Sequence, residues 1–282
     1  MPPRLLVVAD APRPDVPGEV ERFEQTRELF DSVDWDCEVS TNIPEGHLGI
    51  TERIKSGLDW AFDQVGEAII LEDDCVPDPT FFAFCDELLD RHREDDEVMS
   101  VCGTNFLFHR EDPADGYYLS RYFHSGAWAT WGRAWRLYDP ALSAWPEVRE
   151  GGWLGEQVGE GNHAVTFWSH AFERAHRERD AWDAAWLFAS WLHGALHAIP
   201  NVNLITNIGF RADGTHTRAE HRGAFNDVPS EPARLPLRHP PQLVRDTDAD
   251  AFIESAIYSG TIEEVFQRIR AARHRGDRLE AR

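Results

Sequence analysis

Ala68-Ile69-Ile70-Leu71-Glu72-Asp73-Asp74-Cys75-Val76-Pro77-Asp78-Pro79 decides how the rest of the chain is read. The apolar run Ala68 to Leu71, bounded by turn formers, has the length and composition of a buried strand. It stops on three acidic residues, and Pro77 and Pro79 break the chain before a helical pattern resumes at Phe81. Such a strand carries carboxylates to the edge of an open α/β sheet, where ligands of these sheets bind. Carboxylate oxygens are hard ligands that suit magnesium or manganese. These ions are commonly held by one or two carboxylates, with phosphate and water in the other positions. An acidic turn is also ordinary in a chain with fifty acidic residues, so the triplet takes its weight from the strand before it and the segments around it.

The 282 residues allow one large α/β domain or two small ones, and eleven Trp with 42% hydrophobic residues supply a globular core. A net charge of -22 excludes a nucleic-acid partner, whose phosphates need basic side chains, and disfavours broad adhesion to anionic lipid. Lys55 is the only lysine. Salt adaptation and a GC-rich genome both explain such a composition. Cys37, Cys75, Cys85 and Cys102 form no CxxC pair, which argues against structural zinc, and their apolar contexts suit buried thiols in a reducing compartment. Pro2, Pro3 and Arg4 lead directly into a short strand, without a signal peptide. No stretch has the apolar length to span a bilayer. The closest, 184–199, is interrupted by Ser190, His193 and His197. The expectation is a cytoplasmic protein, or one peripheral on the cytoplasmic membrane face.

Along the chain, strand patterns at 5–9, 37–40 and 68–71 alternate with helical patterns at 20–32 and 51–62, the latter with Thr51 as N-cap. This alternation predicts a doubly wound, parallel sheet. A helix over 79–93 should turn Phe81, Phe82, Phe84, Cys85, Leu88 and Leu89 inward, followed by strands at 98–102 and 117–121. The glycines of 150–161 suggest a mobile loop. Helices are expected over 167–179 and from Asp180 through Leu196, then a strand at 202–207. Residues 224–244 are Pro-rich and aperiodic, 248–272 are again helical, and the last turns are rich in Arg, a solvated helix end or a docking surface.

The segment Ile70-Leu71-Glu72-Asp73-Asp74-Cys75-Val76-Pro77 resembles the metal-binding segment of GT-A-fold nucleotide-diphospho-sugar glycosyltransferases. More closely, the chain resembles a prokaryotic family-2-like group, distantly similar to N-acetylglucosaminyltransferase I. Further matching segments are Ala9-Asp10-Ala11-Pro12-Arg13, His47-Leu48-Gly49, Gly57-Leu58-Asp59-Trp60, Gly103-Thr104-Asn105-Phe106, Trp128-Ala129-Thr130-Trp131, Ala181-Trp182-Asp183 and Gly214-Thr215-His216-Thr217. The resemblance implies a GT-A-like, Rossmann-related, mostly parallel twisted sheet flanked by helices over 1–223, with 224–282 as a Pro-rich tail and helix packed on it. The family carries a further strand before Leu5 that also cradles the nucleotide, and the resemblance implies that this strand is absent here.

The resemblance also assigns roles. Asp10 would read the nucleotide base, although an Asp in a Pro-rich loop is more often a cap or turn residue. His47 would touch the nucleotide, where a loop His is otherwise merely solvated. Asp74 would hold the divalent metal, manganese or magnesium, with help from Asp73 or His216, and His216 is equally a diphosphate ligand or a surface residue. Glu72 would orient the site or contact ribose or sugar hydroxyls. Trp128 and Trp131 lie where donor sugar and acceptor enter, with core packing as the even alternative. Arg133 and Arg136 are candidate diphosphate contacts or surface ion-pair partners. Asp183, with Asp180 second, would be the catalytic base. The implied function is a metal-dependent, inverting glycosyltransferase that moves a sugar from a nucleotide-diphospho-sugar to a glycan or lipid-linked sugar acceptor. The alternatives are a two-carboxylate glycoside hydrolase and a non-catalytic sugar-nucleotide or glycan-binding protein.

Overall fold

The first two strand patterns pair with each other. Arg4–Val8 (β1) and Glu38–Asn42 (β2) lie parallel, joined by the helix Glu19–Phe30 (α1). This and everything below describe residues 2–30, 32–107, 115–159, 163–209 and 229–258 of a computed structural model. The unit is thinly covered: α1 has no buried residue, and Leu29 is 64% exposed. Ile50–Phe62 (α2) buries Gly57, Leu58 and Ala61 along one face, the spacing of an amphipathic helix. Gly57 permits this packing, since a Cβ there would stand 2.4 Å from Val8 Cγ1. Thr51 is not the N-cap. Gly49 holds that position with φ 79°, and the buried Thr51 hydroxyl has no hydrogen-bond partner among the described residues.

Glu67–Leu71 (β3) and the short Cys75–Pro77 (β4) flank the acidic triplet, and Thr80–Arg91 (α3) follows. Val98–Cys102 (β5), Tyr117–Ser120 (β6) and Ala127–Trp131 (β7) lead into four helices: Gly132–Trp135 (α4), Trp145–Glu150 (α5), Trp153–Val158 (α6) and His163–Glu178 (α7). Trp182–Leu192 (α8), Leu196–Pro200 (β8), Ile205–Asn207 (β9) and Thr247–Ile257 (α9) complete the order.

The main sheet has five strands in the order β3-β7-β5-β8-β6. It is mixed, not mostly parallel as expected: only β5 and β8 run parallel, and every other neighbouring pair is antiparallel. The reason is β7. The Trp-rich run is itself a strand, inserted against the direction of β3 and β5 with Trp128 opposite both Ile70 and Cys102. Its period-two alternation serves two cores. Trp128 faces a cluster with Trp135, Trp145, Trp182, Trp186 and Trp191, while Ala129 and Trp131 face α3 through Phe81, Phe84 and Leu88.

Three further expectations change. Phe82 is 39% exposed rather than inward, because α3 turns its neighbours Phe81 and Phe84 to the sheet. The glycine-rich 150–161 contains the helix α6 instead of a loop, with Gly152 and Gly159 at its ends in positive φ. The helix expected to run through Leu196 stops at Leu192, and Gly194, φ 64°, turns the chain into strand β8. The tail from 229 runs along the domain: Glu231 N–H donates to Asn203 O (2.7 Å), and Ala233 N–H to Thr80 Oγ1 (2.8 Å). It ends in α9, which packs on β6 and α7. Among the described residues no helix is long and apolar enough to cross a membrane. The Arg-rich end lies outside the described residues.

Candidate functional site

The acidic turn is held on two sides. Glu72 N–H donates to Gly126 O (2.7 Å), and Gly126 N–H donates back to Glu72 Oε1 (3.1 Å). Cys75 N–H closes the turn on Glu72 O (3.1 Å). β4 then pairs antiparallel with β9, Cys75 opposite Asn207, and Ile208 N–H donates to Asp74 O (2.8 Å). Gly126 is required twice over: its φ is 98°, and a Cβ there would lie 2.9 Å from Cys75 Sγ. The result is a hollow of about 290 Å³ whose walls include Glu72, Cys75, Asn105, Gly126, Asn207 and Ile257. Asp73 is exposed, and Asp74 is half-buried.

Of the acidic residues in the turn, Glu72 is the one that lines the hollow. Burial raises its carboxyl to about 7, and the charges of Asp74, Asp183 and Asp73 push the same way against the Gly126 amide. Asp183 is the source of one of these charges. It is the second residue of α8, whose start is pinned to the sheet by Trp182 stacked on Trp128, ring centroids 5.8 Å apart and planes at 24°. Asp183 is open to solvent, yet the protein mass around it raises its carboxyl above the usual range, against the Ala184 N–H that donates to Oδ1 (2.9 Å). Its charge also raises the phenols of Tyr138 and Tyr258. Asp180, the second choice for the base, is paired with Arg174.

The expected site residues fall into three groups. Glu72, Asp73, Asp74 and Asp183 share one electrostatic neighbourhood. Asp10 and His47 meet each other at the end of β1. Asp10 accepts the backbone N–H groups of Ala11, Leu48 and Gly49 at 2.8–2.9 Å, and His47 Nδ1 lies 3.1 Å from its Oδ2. Asp10 therefore ties the loop before α2 to the end of β1 and does not cap the helix, and both of its oxygens are engaged. Trp128 and Trp131 are core residues, 0% and 2% exposed. Trp131 sits opposite Glu67, at the start of β3 and so at the far end from the acidic turn, with its indole N–H on Leu89 O (3.1 Å) and Arg133 over its face at 4.4 Å. The core alternative describes both rings. Arg133 is at that far end too, bound to the carbonyls of His92, Arg93 and Val98, and is not a diphosphate contact. His216 lies outside the described residues.

Sequence reasoning missed Asn207, Gly209 and Ile257. Asn207 Oδ1 accepts the Gly209 N–H (2.8 Å), which folds the chain after β9 back onto Asp74. A signal existed in Asn207-Ile208-Gly209, a turn-forming pair directly after a short strand. Among the described residues no group of three His, Cys, Asp or Glu is arranged around a common metal position. Two carboxylates with free positions for phosphate and water remain within the habits of magnesium and manganese. Comparison with known proteins finds no family model that matches the chain and no curated protein that matches it.

Proposed function

We propose that the chain is a metal-dependent, inverting glycosyltransferase of GT-A type, using a nucleotide-diphospho-sugar donor and a glycan or lipid-linked sugar acceptor. One observation carries the reading: the Asp183 carboxylate at the start of α8 is near enough to act on Glu72, which the acidic turn holds at the wall of a hollow. The charges that act on Glu72 from Asp74, Asp183 and Asp73 are all negative, a donor set that favours a cation. Asp74, with Asp73, would hold the ion. A divalent ion there supplies Lewis-acid stabilisation of the departing nucleoside diphosphate.

The chain's own residues do the rest. Asp183 is placed to accept the proton of the acceptor hydroxyl as its oxygen bonds to the anomeric carbon and the bond to the diphosphate breaks. Its place in the first turn of α8, exposed at the surface, leaves it open to an incoming hydroxyl. Glu72, fixed by the Gly126 amide, orients hydroxyls of the donor. Holding donor and acceptor in line supplies much of the acceleration. The described cysteines are all free thiols, in keeping with a reducing, cytoplasmic setting.

The test is nucleoside diphosphate release from a panel of nucleotide-sugars, with and without manganese, for wild type, Asp74→Ala and Asp183→Asn. The reading expects manganese-dependent release that Asp74→Ala abolishes, and retained donor binding with lost transfer in Asp183→Asn. Equal turnover in Asp74→Ala, or sugar release from an aryl glycoside without any nucleotide, overturns it.

A further inference from the structure

Trp128 is sealed from any ligand, yet it stands between the two parts of the candidate site. Its side chain is buried, and its indole N–H has no hydrogen-bond partner among the described residues. Packing alone holds the ring. On one side it is tied to the acidic turn. Ile70 lies opposite Trp128 in the antiparallel pair of β3 and β7, and Glu72 N–H carries that ladder one step further onto Gly126 O (2.7 Å). Residues directly opposite each other share a face, and faces alternate along each strand, so Ile70, Trp128 and Glu72 belong to one face of the sheet. The helix α8 covers that face, since Ile70 packs against the cluster that holds Trp128, Trp182 and Trp186. Gly126, whose N–H fixes the Glu72 carboxylate (3.1 Å), precedes Trp128 by two residues.

On the other side the indole seats two successive turns of α8. Trp182 stacks on it at 5.8 Å and 24°. Trp186, four residues on and so on the same face of the helix, leans on it at 5.8 Å and 47°. Phe123 closes the group edge-on, 5.0 Å from Trp128 and 5.9 Å from Trp182. Asp183 is the residue after Trp182. A run of direct contacts and adjacent residues therefore leads from the Glu72 carboxylate through Gly126, Trp128 and Trp182 to the turn that bears the other carboxylate.

We propose that Trp128 is a positioning residue: its stack with Trp182 sets where the base-bearing turn of α8 stands relative to the acidic turn. The inference rests on the glycosyl-transfer reading and deepens it, because it assigns to a buried ring the alignment of the proton acceptor with the donor. Such alignment is sensitive, since a displacement on the order of 1 Å costs about a hundredfold in rate. The acidic turn has ties of its own, in Gly126 and in the pairing of β4 with β9. Loss of the stack should therefore move α8 and leave the donor side in place.

The experiment compares wild type with Trp128→Leu, Trp182→Leu, the double variant, the conservative Trp128→Phe, and Trp131→Leu as control. Trp131 is a buried ring three residues along the same strand, but it packs on α3 at the other face. Nucleoside diphosphate release from a panel of nucleotide-sugars with manganese gives kcat and donor KM. Hydrogen exchange reads α8 against β4 and β9, and all rates are taken below the melting temperature of each variant. Trp128→Leu and Trp182→Leu are each expected to lower kcat about tenfold or more with the donor KM unchanged, and to speed exchange in the first turns of α8 but not in β4 or β9. Both remove one and the same contact, so the double variant should lose no more than the larger single loss. Trp128→Phe keeps a ring to stack and should recover most of the rate. Trp131→Leu should lower the melting temperature and leave kcat near wild type. Should Trp128→Leu not fold, Trp182→Leu and Trp128→Phe decide the matter. A kcat of Trp182→Leu equal to that of Trp131→Leu overturns the assignment. So do losses that multiply in the double variant, a donor KM that rises as kcat falls, or unchanged exchange in α8. A wild type that releases no nucleoside diphosphate from any nucleotide-sugar removes the glycosyl-transfer reading itself.

Discussion

Gly209 lies so close to Asp74 that a Cβ built on it would stand 2.0 Å from Asp74 Oδ2 and 2.8 Å from Asp74 Cβ. The strand pair β4–β9 therefore fixes the carboxylate as well as the backbone of the acidic turn, with Ile208 N–H on Asp74 O as the second tie. Because the Asp74 Cβ is also in the way, a side-chain rotation alone does not relieve the clash. Gly209→Ala is expected to displace Asp74, to cost about 1–3 kcal/mol as overpacking does, and to lower manganese-dependent nucleoside diphosphate release by more than tenfold. Gly66→Ala, where a Cβ meets nothing within 4 Å, is the control and should leave both turnover and melting temperature near wild type. Turnover in Gly209→Ala equal to that of the control would show that the contact does not position the carboxylate proposed to hold the metal.

The imidazoles under the site predict loss of stability in acid. Burial holds His124 and His197 down to about 3. His197 is satisfied as a neutral ring. Ser190 Oγ–H is used on Leu187 O (2.8 Å), so Nε2 carries the proton and donates to Ser190 Oγ (3.1 Å), leaving Nδ1 to accept from Ser100 (2.6 Å). His124 Nε2 has no partner among the described residues. Below its ordinary range near 6.5 each imidazole takes up a proton in the unfolded chain and not in the fold. Stability then falls by about 1.4 kcal/mol per pH unit for each ring until the folded-state value is reached. Glu72, raised to about 7, works in the opposite sense, since the fold keeps its proton where the unfolded chain has lost it. The clean measurement is a difference. His124→Leu should make the decline in denaturation free energy between about pH 6 and 4 shallower by about 1.4 kcal/mol per unit. Parallel wild-type and variant curves would mean that His124 is not held neutral.

Much of this architecture was legible, and the misses have physical causes. The stop of β3 at Leu71 and the start of α8 near Asp183 follow from a short apolar run ending in charge and from a Trp-Asp helix start. β7 and β8 were not legible. Ala127–Trp131 is apolar on both faces because both faces are core, so it shows no alternation. Leu196–Pro200 follows a helix whose apolar pattern runs on unbroken, and Leu, His and Ala do not favour strand over helix. Long-range ties such as that of Asp10 to the loop before α2, or of Ile257 to Glu72, leave no local pattern at all.

Gly194 is the residue that makes that hidden switch. With φ 64° and no atom within 4 Å of a built Cβ, it is selected by backbone conformation and not by space. Gly194→Ala should cost about 1 kcal/mol, and Gly194→Asn less, because Asn tolerates the left-handed region better than Ala. Equal denaturation midpoints for both variants and wild type would mean that the turn into β8 does not depend on the left-handed residue.

Asp250 is the peg that holds the last helix in place, and its removal should loosen that helix. Its carboxylate is 1% exposed. It accepts from Ser120 Oγ (2.6 Å), and the guanidinium Nε of Arg245 and of Arg121 stand 3.2 and 3.6 Å away. Arg121 is buried as well, so Asp250→Ala leaves a desolvated cation without its counter-charge, a change that costs about 3–5 kcal/mol. Asp250→Asn keeps the shape and a partner for Ser120, but loses the charge that balances Arg121 and Arg245. If the peg acts through charge, it should fall near Asp250→Ala in stability; if through shape and hydrogen bonding, near wild type. With the peg removed, α9 should exchange its amide hydrogens faster than α8. Equal exchange in the two helices would mean that Asp250 supports the whole domain and not α9 in particular.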